Sequence, residues 1–462
     1  MPPRAVLGFL KAVQNEKHEL HSFMLLKNGK VICERWWAPY APQYRHQLFS
    51  LSKSFTSTAI GIAADEGRLT ADTPLADIFK DEFEKLGQAI DDEVRGMTVK
   101  NLLTMSTGME YEGWTNDDSG PNANNILSFL SSHVKDAPGK TFRYSSIATY
   151  MQSAIITRLT GETLADYLKP RLFEPLGINP YWEFDDKTGV HMGGFGLNIT
   201  TEDIAKFGQL YLQKGVWEGR RLISEAWVEE ATGKQIENQN ESRDWGMGYG
   251  YQFWRCVPEG VFRGDGMFGQ FCVVVPSENI VIAITSNVVM QRILDLLWDM
   301  LGGIKALPAD GDGADELAGY DNFSHLAVGE DEDAYPEFIA EYEFDSKQLK
   351  SVTFDFMPNE GVMSVFAEKD KPPAASYLFN KGQWTKAAAA CYFQIRFANR
   401  VATYGAWSGR VFTATVWYFE SACRDQFRFT FSEDFGEAQA EYRNGEFNSP
   451  FQPLGMGKRK AL

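Results

Sequence analysis

The 462-residue sequence predicts an α+β fold: a mainly antiparallel sheet flanked by helices, with an inserted helical subdomain, followed by an all-β C-terminal domain. Three observations predict it. Strand-forming runs occur near the N-terminus and again before residue 290, a mostly helical block lies between them, and strongly alternating segments follow residue 346. At about 100 to 200 residues per domain, the length accommodates two or three domains.

The composition and charge are those of a globular protein that does not bind nucleic acid. Hydrophobic residues make up 44% of the chain and charged residues 23%. The 62 acidic residues exceed the 45 basic ones and give a net charge of −17, without a dense basic cluster. No stretch approaches the ~20 apolar residues of a membrane span. The expected partner is a small molecule or short peptide, and the oligomeric state stays open.

The cysteines and histidines predict neither disulfides nor a metal site. Five widely spaced cysteines include no CxxC pair, and six histidines show no HExxH or paired metal spacing. We therefore expect no metal and no other cofactor. The cysteine usage favours a reducing compartment and a cytoplasmic location, with secretion through a signal that has been removed as the alternative.

The first elements follow from turn and capping residues. Residues 1–20 predict an amphipathic helix, and residues 21–37 predict a hairpin whose type I′ turn is Asn28-Gly29. A helix is expected from about Ser50 to Glu66, ending at Gly67. Residues 69–192 alternate helical patterns with loops rich in glycine and proline, which predicts the helical insertion.

The rest of the first domain returns to strands. Residues 200–203 cap a helix that reaches Gly215, and Ser224 opens another. Residues 249–256, 269–275 and 279–286 are rich in strand formers, and a helix from Gln291 to Leu301 closes at Gly302-Gly303. These elements place a first domain at residues 1–304.

An acidic segment and a β-rich segment complete the chain. Thirteen acidic residues and no lysine or arginine lie between Lys305 and Lys347, so residues 305–346 are interpreted as a solvated connector, with an acidic docking surface as the alternative. Residues 347–462 contain alternating runs such as VTFDF and VFTATVWYF. They predict an all-β accessory domain, a small antiparallel sheet or barrel.

The chemical candidate is the serine and lysine of FSLSKSF. Ser50 and Lys53 are three residues apart, so on a helix that starts at Ser50 they share one face, about 5 Å apart at Cβ. A serine hydroxyl is a poor nucleophile unless a neighbour removes its proton, and Lys53 can do so only if burial favours its neutral amine. The apolar residues 59–64 favour burial. A second S-x-x-K, from Ser132 to Lys135, lies in a polar loop and receives no role.

Two further segments accompany this pair. GKTFRYSS contains Tyr144, which can act as a second acid–base group beside a lysine. FRGDGMFGQF, residues 262–271, formally contains GxGxxG, but a strand and not a helix follows it, which argues against a dinucleotide site. Glycines beside an edge strand instead let a substrate approach the backbone, where a free N–H can donate to an oxyanion.

Together these residues resemble the serine β-lactamase and penicillin-binding-protein superfamily, in particular its class C-like branch of esterases, peptidases and amide hydrolases. The resemblance covers about residues 23–301 and includes LLTMSTGM, GGFGLNITTEDIAKFGQLYLQKG and YGYQFW. It implies a β-lactamase/transpeptidase-like fold. It also implies that Ser50 is the acylated nucleophile, Lys53 its base partner and Tyr144 the group that passes the proton to the leaving atom.

The resemblance further implies an oxyanion hole made by the amides of Ser50 and Met267. Two positions depart from the family pattern: Ser146 stands where asparagine is expected, and Gly264 where lysine or histidine is expected. The nearest charges are Arg263 and Asp265, and Gly266 completes the strand-edge set of substrate-binding candidates. Since the two missing groups help hold a β-lactam, their loss argues for another acyl substrate. Arg263 either replaces the lost positive charge or is a surface residue without a role.

The sequence therefore predicts a serine hydrolase that acts through an acyl-enzyme on small esters or amides, including peptides with D-residues. A β-lactamase or D-Ala-D-Ala carboxypeptidase is the alternative within the same class. A catalytically inactive binding protein on the same scaffold is the alternative from another class, and it is favoured by Ser146 and Gly264.

Overall fold

The computed structural model describes residues 1–110, 124–238, 243–307, 311–320, 334–388, 400–444 and 449–460. These residues divide into two units. The first comprises Met1–Val13, Ser22–Arg35 and Gln47–Ala318, and the second comprises Gln14–His21, Trp36–His46 and Gly319–Leu462. The domain boundary expected within the acidic segment stays a prediction.

The α-helices concentrate before residue 320. They are α1 Pro3–Asn15, α2 Ser52–Asp65, α3 Leu75–Ile78, α4 Lys80–Leu86, α5 Asp92–Arg95, α6 Val99–Leu103, α7 Asn125–Leu130, α8 Ser146–Thr160, α9 Leu164–Leu168, α10 Glu174–Leu176, α11 Thr201–Leu212, α12 Glu225–Thr232, α13 Met290–Ala306 and α14 Ala314–Gly319.

The strands fall into two groups. Up to residue 287 they are β1 Glu19–Lys27, β2 Lys30–Trp36, β3 His46–Gln47, β4 Tyr181–Trp182, β5 Leu197–Ile199, β6 Val216–Trp217, β7 Arg220–Arg221, β8 Trp254–Arg255, β9 Phe262–Gly266, β10 Gln270–Val275 and β11 Ile280–Asn287. After residue 337 they are β12 Phe338–Phe344, β13 Ser351–Met357, β14 Glu360–Phe366, β15 Ala375–Asn380, β16 Thr385–Ala388, β17 Arg400–Ser408, β18 Val411–Tyr418, β19 Arg424–Phe431, β20 Glu437–Asn444 and β21 Gln452–Arg459.

The first unit is organised by a six-stranded sheet in the order β2-β1-β11-β10-β9-β8. The predicted hairpin is confirmed, because Asn28 and Gly29 join β1 to β2 with φ of 52° and 72°, the signs a type I′ turn requires. Strand β10 pairs antiparallel with both β9 and β11. The mixed fold of antiparallel sheets and helices agrees with the sequence prediction.

Helix α2 forms the centre of the first unit. All twelve residues from Ser52 to Ala63 are buried, so this part of the helix has no solvent face. A Cβ atom at Gly61 would lie 2.4 Å from Nε1 of Trp227, so only glycine permits this close contact with α12. The helix that carries Lys53 is thus enclosed on all sides by packed side chains.

Two boundaries differ from the sequence prediction. Helix α13 continues through Gly302 and Gly303 to Ala306, because Leu301 and Ile304 extend its buried face and a helical glycine costs only about 1 kcal/mol. Residues 249–256 contribute only the short strand β8, whereas residues 262–266 form the strand β9. Of the glycines in FRGDGMFGQF, Gly264 and Gly266 therefore lie on β9, and Gly269 lies in the turn that follows it.

The second unit contains a ten-stranded antiparallel sheet that nearly closes into a barrel, in the order β15-β14-β13-β12-β21-β20-β19-β18-β17-β16. Aromatic side chains fill its core, among them Phe354, Phe412 and Trp407. Strand β12 lies within the acidic segment, and its Ala340, Tyr342 and Phe344 are buried. The all-β C-terminal domain is confirmed. Among the described residues, no helix combines the length and apolar character needed to cross a bilayer.

Candidate active site

Ser50 lies in a single 3-10 turn, Phe49–Leu51, directly before α2. Phe49 has φ of 48°, a left-handed conformation that is uncommon outside glycine. Ser52 holds this turn, since its Oγ donates to the Phe49 carbonyl at 2.6 Å and accepts from the Leu197 amide at 3.1 Å. The predicted helix start at Ser50 is therefore a tight turn that presents the serine at the head of α2.

Lys53 is almost completely buried, with 1% of its surface exposed. Its Nζ lies 3.0 Å from Ser50 Oγ, 3.1 Å from Ser146 Oγ and 2.6 Å from the carbonyl oxygen of Gly194. These partners come from the turn before α2, from the start of α8 and from the loop before β5. The amine is thus fixed within proton-transfer distance of the Ser50 hydroxyl.

The Gly193-Gly194 pair lets its loop reach the start of α8. A Cβ at Gly194 would lie 2.8 Å from the Ser146 carbonyl, and one at Gly193 would lie 2.8 Å from the Thr149 carbonyl. Gly193 also has φ of 61°, which glycine adopts without strain. Only glycines at these positions bring the Gly194 carbonyl to Lys53.

Tyr144 stands beside the lysine, and 36% of its surface is accessible. Lys53 Nζ lies 4.9 Å from the centre of its ring. The ring stacks on Trp254 at 5.6 Å with an interplanar angle of 22°. Tyr144 and Ser146 therefore both lie beside the amine, as expected for two residues of one Y-x-S element.

Strand β9 lies against the Ser50 turn. A Cβ at Gly266 would lie 2.0 Å from the Leu48 carbonyl, and one at Gly264 would lie 2.4 Å from Leu51 Cδ1 and 2.6 Å from Ser54 Oγ. Because Leu48 and Leu51 flank Ser50, the end of β9 is next to the candidate nucleophile. Met267 follows β9 directly, and its side chain is 59% exposed.

Arg263 and Asp265 face each other instead of the solvent. Arg263 is 0% exposed and Asp265 6%, and Arg263 Nε donates to Asp265 Oδ2 at 2.9 Å. The pKa of the Asp265 carboxyl is raised by burial, while Arg263 and Lys53 act in the opposite direction. Arg263 is thus not a surface residue, and its buried guanidinium cannot touch a substrate from this position.

Gln252, which no sequence motif indicated, joins three elements around the site. Its Nε2 donates to the carbonyl of Leu103 at 2.8 Å, its Oε1 accepts from Thr149 on α8 at 2.8 Å, and its own carbonyl accepts from Ser54 on α2 at 2.8 Å. Gln252 belongs to the YGYQFW phrase. The only signal was a glutamine between aromatic residues, which does not identify a bridging role.

The serine and lysine of the second S-x-x-K, Ser132 and Lys135, bond to other residues and not to each other. Ser132 donates to the Ser128 carbonyl at 2.7 Å, whereas Lys135 pairs with Glu110 at 2.9 Å and is 53% exposed. Within the described part of the chain, no three histidine, cysteine, aspartate or glutamate side chains are grouped closely enough to hold a metal ion.

Comparison with known proteins identifies the family. A family model described as Beta-lactamase matches residues 14–291, which is more than half of the chain. The chain belongs to the beta-lactamase family. This membership confirms the resemblance that the sequence motifs indicated.

The chain is similar to two named proteins and to one solved structure. It is 28% identical over 226 residues to a 6-aminohexanoate-dimer hydrolase of Paenarthrobacter ureafaciens, covering 45% of this chain but only 56% of that protein. It is 26% identical over 298 residues to penicillin-binding protein 4 of Amycolatopsis lactamdurans, covering 55% of this chain and 76% of that one. The chain also matches the structure of the octameric penicillin-binding protein homologue from Pyrococcus abyssi, with a TM-score of 0.51 and a sequence identity of 17%. That match covers 95% of this beta-lactamase-family chain and 99% of the Pyrococcus abyssi chain.

Proposed function

We propose that this protein is a serine hydrolase that cleaves small esters or amides through an acyl-enzyme on Ser50. One observation carries the proposal: the buried Lys53 Nζ lies 3.0 Å from Ser50 Oγ. A lysine enclosed on every side and in hydrogen-bond contact with a serine is the arrangement that nucleophile activation requires. The matched 6-aminohexanoate-dimer hydrolase is, by its name, also a hydrolase.

The reaction has two steps. Ser50 Oγ attacks the acyl carbon as its proton passes to the Lys53 amine, and the bond from that carbon to the leaving oxygen or nitrogen breaks. Tyr144, whose ring lies 4.9 Å from Lys53 Nζ, relays the proton to the leaving atom. Water then attacks the acyl carbon, and one of its protons passes through the same groups to Ser50 Oγ as the bond from that oxygen to the acyl carbon breaks, which releases the acid. Hydrolysis consumes one water and needs no other reactant.

The developing oxyanion would be held by two backbone amides, those of Ser50 and Met267. The packing of Gly266 against Leu48 supports this proposal, because it brings the end of β9 to the Ser50 turn. Backbone N–H groups fixed in this way stabilise negative charge without reorganising during the reaction. The helix N-terminus at α2 contributes in the same direction.

The charges at the strand edge favour a substrate without a carboxylate. Gly264 has no side chain where the family resemblance expects lysine or histidine, and the nearest arginine, Arg263, is buried against Asp265. An anionic carboxylate such as that of a β-lactam antibiotic would therefore find no compensating cation on β9. Uncharged esters and amides avoid this cost.

Two chromogenic substrates test the proposal. Purified full-length protein and the Ser50→Ala variant are assayed with p-nitrophenyl acetate and with nitrocefin. We expect Ser50-dependent hydrolysis of the ester and slow or no hydrolysis of nitrocefin. Rapid turnover of nitrocefin alone would identify a β-lactamase, whereas a folded protein that turns over neither substrate and forms no Ser50 adduct with a fluorophosphonate would be a binding protein.

A further inference from the structure

Two phenylalanine rings join the segments that carry the proposed oxyanion donors. Phe49 directly precedes Ser50, and Phe268 directly follows Met267. The ring centres of Phe49 and Phe268 are 5.3 Å apart and their planes meet at 77°, which is an edge-to-face geometry that aromatic side chains favour. The two segments are far apart in sequence, so this contact depends on the tertiary fold. Each ring thus belongs to a residue that is covalently bonded to a proposed donor.

Both phenylalanines have a left-handed backbone conformation. Phe49 has φ of 48° and Phe268 has φ of 66°, values that are uncommon for residues with a bulky side chain. Such conformations persist only where the surrounding structure holds them, and they are frequent at functional sites. A left-handed residue turns the chain sharply. The conformation of each phenylalanine therefore directs the path of the chain at the neighbouring donor.

The turn that follows β9 is fixed through its carbonyl groups. Gln270 Nε2 donates to the Met267 carbonyl at 2.9 Å. The Phe268 carbonyl accepts from the Val288 amide at 3.0 Å and from Ser286 Oγ at 2.9 Å. Within the described part of the chain, the Met267 amide donates to no backbone carbonyl. The turn is thus held in place while keeping an N–H that can donate to a substrate.

The turn before α2 and the end of β9 also touch through their backbones. A Cβ at Gly266 would lie 2.0 Å from the Leu48 carbonyl oxygen and 3.2 Å from the Leu51 amide nitrogen. One point of contact leaves two segments free to rotate about it, whereas a second contact fixes their relative orientation. The contact between the two phenylalanine rings provides that second point.

We propose that Phe49 and Phe268 are positioning residues that hold the amides of Ser50 and Met267 in the arrangement that stabilises the oxyanion. The inference rests on the proposed function, since it concerns the same site. Donors to an oxyanion act only within a narrow range of distances, so a small displacement weakens transition-state binding more than substrate binding. Loss of the ring contact should therefore lower kcat and leave KM nearly unchanged.

The test compares wild type with the full-length Phe268→Leu variant, using p-nitrophenyl acetate as substrate. Leucine keeps an apolar side chain and removes the ring. Because acylation and deacylation both pass through an oxyanion, we expect kcat to fall about tenfold or more and KM to stay within about twofold. The inhibition constant of phenylboronic acid, which forms a tetrahedral adduct with an activated serine, should rise by a similar factor.

A second variant tests whether the two rings act through their contact. Phe49→Leu should also lower kcat, and the double variant Phe49→Leu/Phe268→Leu should stay within about threefold of the less active single variant. Two independent effects would instead multiply to about a hundredfold. Phe9→Leu is the matched control, because Phe9 lies on α1 of the same unit and its ring centre is 5.1 Å from that of Phe23. It should keep the wild-type kcat and inhibition constant.

A folded Phe268→Leu protein with the wild-type kcat, or with a loss confined to KM, overturns the inference. So does a double variant whose losses multiply, or an equal loss of kcat in Phe9→Leu. If circular dichroism shows that Phe268→Leu does not fold, Phe49→Leu is judged by the same kcat and KM criteria. Failure of the proposed function is a different result, in which the wild-type protein hydrolyses no ester and a fluorophosphonate does not label Ser50.

Discussion

The carbonyl oxygen of Gly194 accepts a hydrogen bond from Lys53 Nζ at 2.6 Å, a shorter distance than the 3.0 Å from Nζ to Ser50 Oγ. The two residues are 141 positions apart in sequence. The lysine is therefore positioned by a distant glycine loop as well as by its own helix. Any change that moves this loop should alter the activation of Ser50.

The first prediction concerns that loop. Gly194→Ala introduces a Cβ 2.8 Å from the Ser146 carbonyl, so the loop must move away from α8 and withdraw the carbonyl that holds Lys53. We expect kcat for p-nitrophenyl acetate to fall at least tenfold, in line with the loss of a hydrogen bond that positions the Lys53 amine. Gly302→Ala is the control, because it meets open space on α13 and should keep full activity. Equal activity in both variants would contradict this role of the loop.

The second prediction concerns Ser146. Its Oγ lies 3.1 Å from Lys53 Nζ, so Ser146→Ala removes one polar partner of the amine and should lower kcat about tenfold with little change in KM. Ser153→Ala is matched to it, since Ser153 lies on the same helix, is buried, and its Oγ makes no hydrogen bond among the described residues. Steady-state kinetics on both variants checks the difference. A wild-type kcat for Ser146→Ala would show that this hydroxyl is only structural.

The third prediction is a dependence of stability on pH. Burial raises the pKa of Glu183 to about 7, and its Oε1 accepts from Gln47 Nε2 at 3.2 Å. The folded protein binds this proton more tightly than the unfolded chain, so Glu183 does not lower the free energy of unfolding below about pH 4.5. As the pH rises from there to about 7, Glu183 lowers the free energy of unfolding by up to about 3 kcal/mol.

Glu183→Gln should remove that loss. The variant is expected to match the wild-type Tm near pH 4.5 and to exceed it at pH 8, because glutamine cannot ionise. The exposed Glu259→Gln is the control and should follow the wild type at both pH values. If thermal unfolding shows the same pH dependence in wild type and Glu183→Gln, Glu183 is not the group responsible.

The fourth prediction concerns the second unit. Gly361 on β14 lies so close to the buried Phe356 ring that a Cβ would come within 1.7 Å of it. Gly361→Ala must displace this ring from the aromatic core and should destabilise the unit by about 2 kcal/mol or more. Gly382→Ala meets open space but has φ of 66°, so it should cost only about 1 kcal/mol. Denaturant unfolding followed by circular dichroism compares the two variants, and an equal loss would contradict the packing argument.

The sequence predicted those parts of the fold that local patterns determine. Asn28-Gly29 fixes a hairpin through backbone angles alone, and the alternating segments after residue 346 identify strands. It failed where tertiary packing overrides a local signal: α13 passes through Gly302-Gly303 because its apolar face continues. Strand β12 was not separated from the acidic segment because its outward-facing positions carry glutamates, although its alternate residues are buried.

The candidate site, too, could be predicted from local patterns only in part. The spacing of Ser50 and Lys53 could be read directly, but an identical spacing at Ser132 and Lys135 produces no site, since Lys135 is exposed and paired with Glu110. Burial distinguishes the two copies, and burial depends on the whole fold. The contacts of Gly194 and of Gln252 join segments far apart in sequence, so no local pattern could reveal them.

The most direct measurement is the rate at which a fluorophosphonate modifies the protein, with the modified residue located by peptide mass spectrometry. If Lys53 activates Ser50, the wild-type adduct is on Ser50 and the rate constant falls at least a hundredfold in Lys53→Ala, while Lys135→Ala, the other S-x-x-K lysine, reacts like the wild type. An adduct on another residue, or a Lys53→Ala protein that is folded and labelled at the wild-type rate, would show that Lys53 does not activate Ser50.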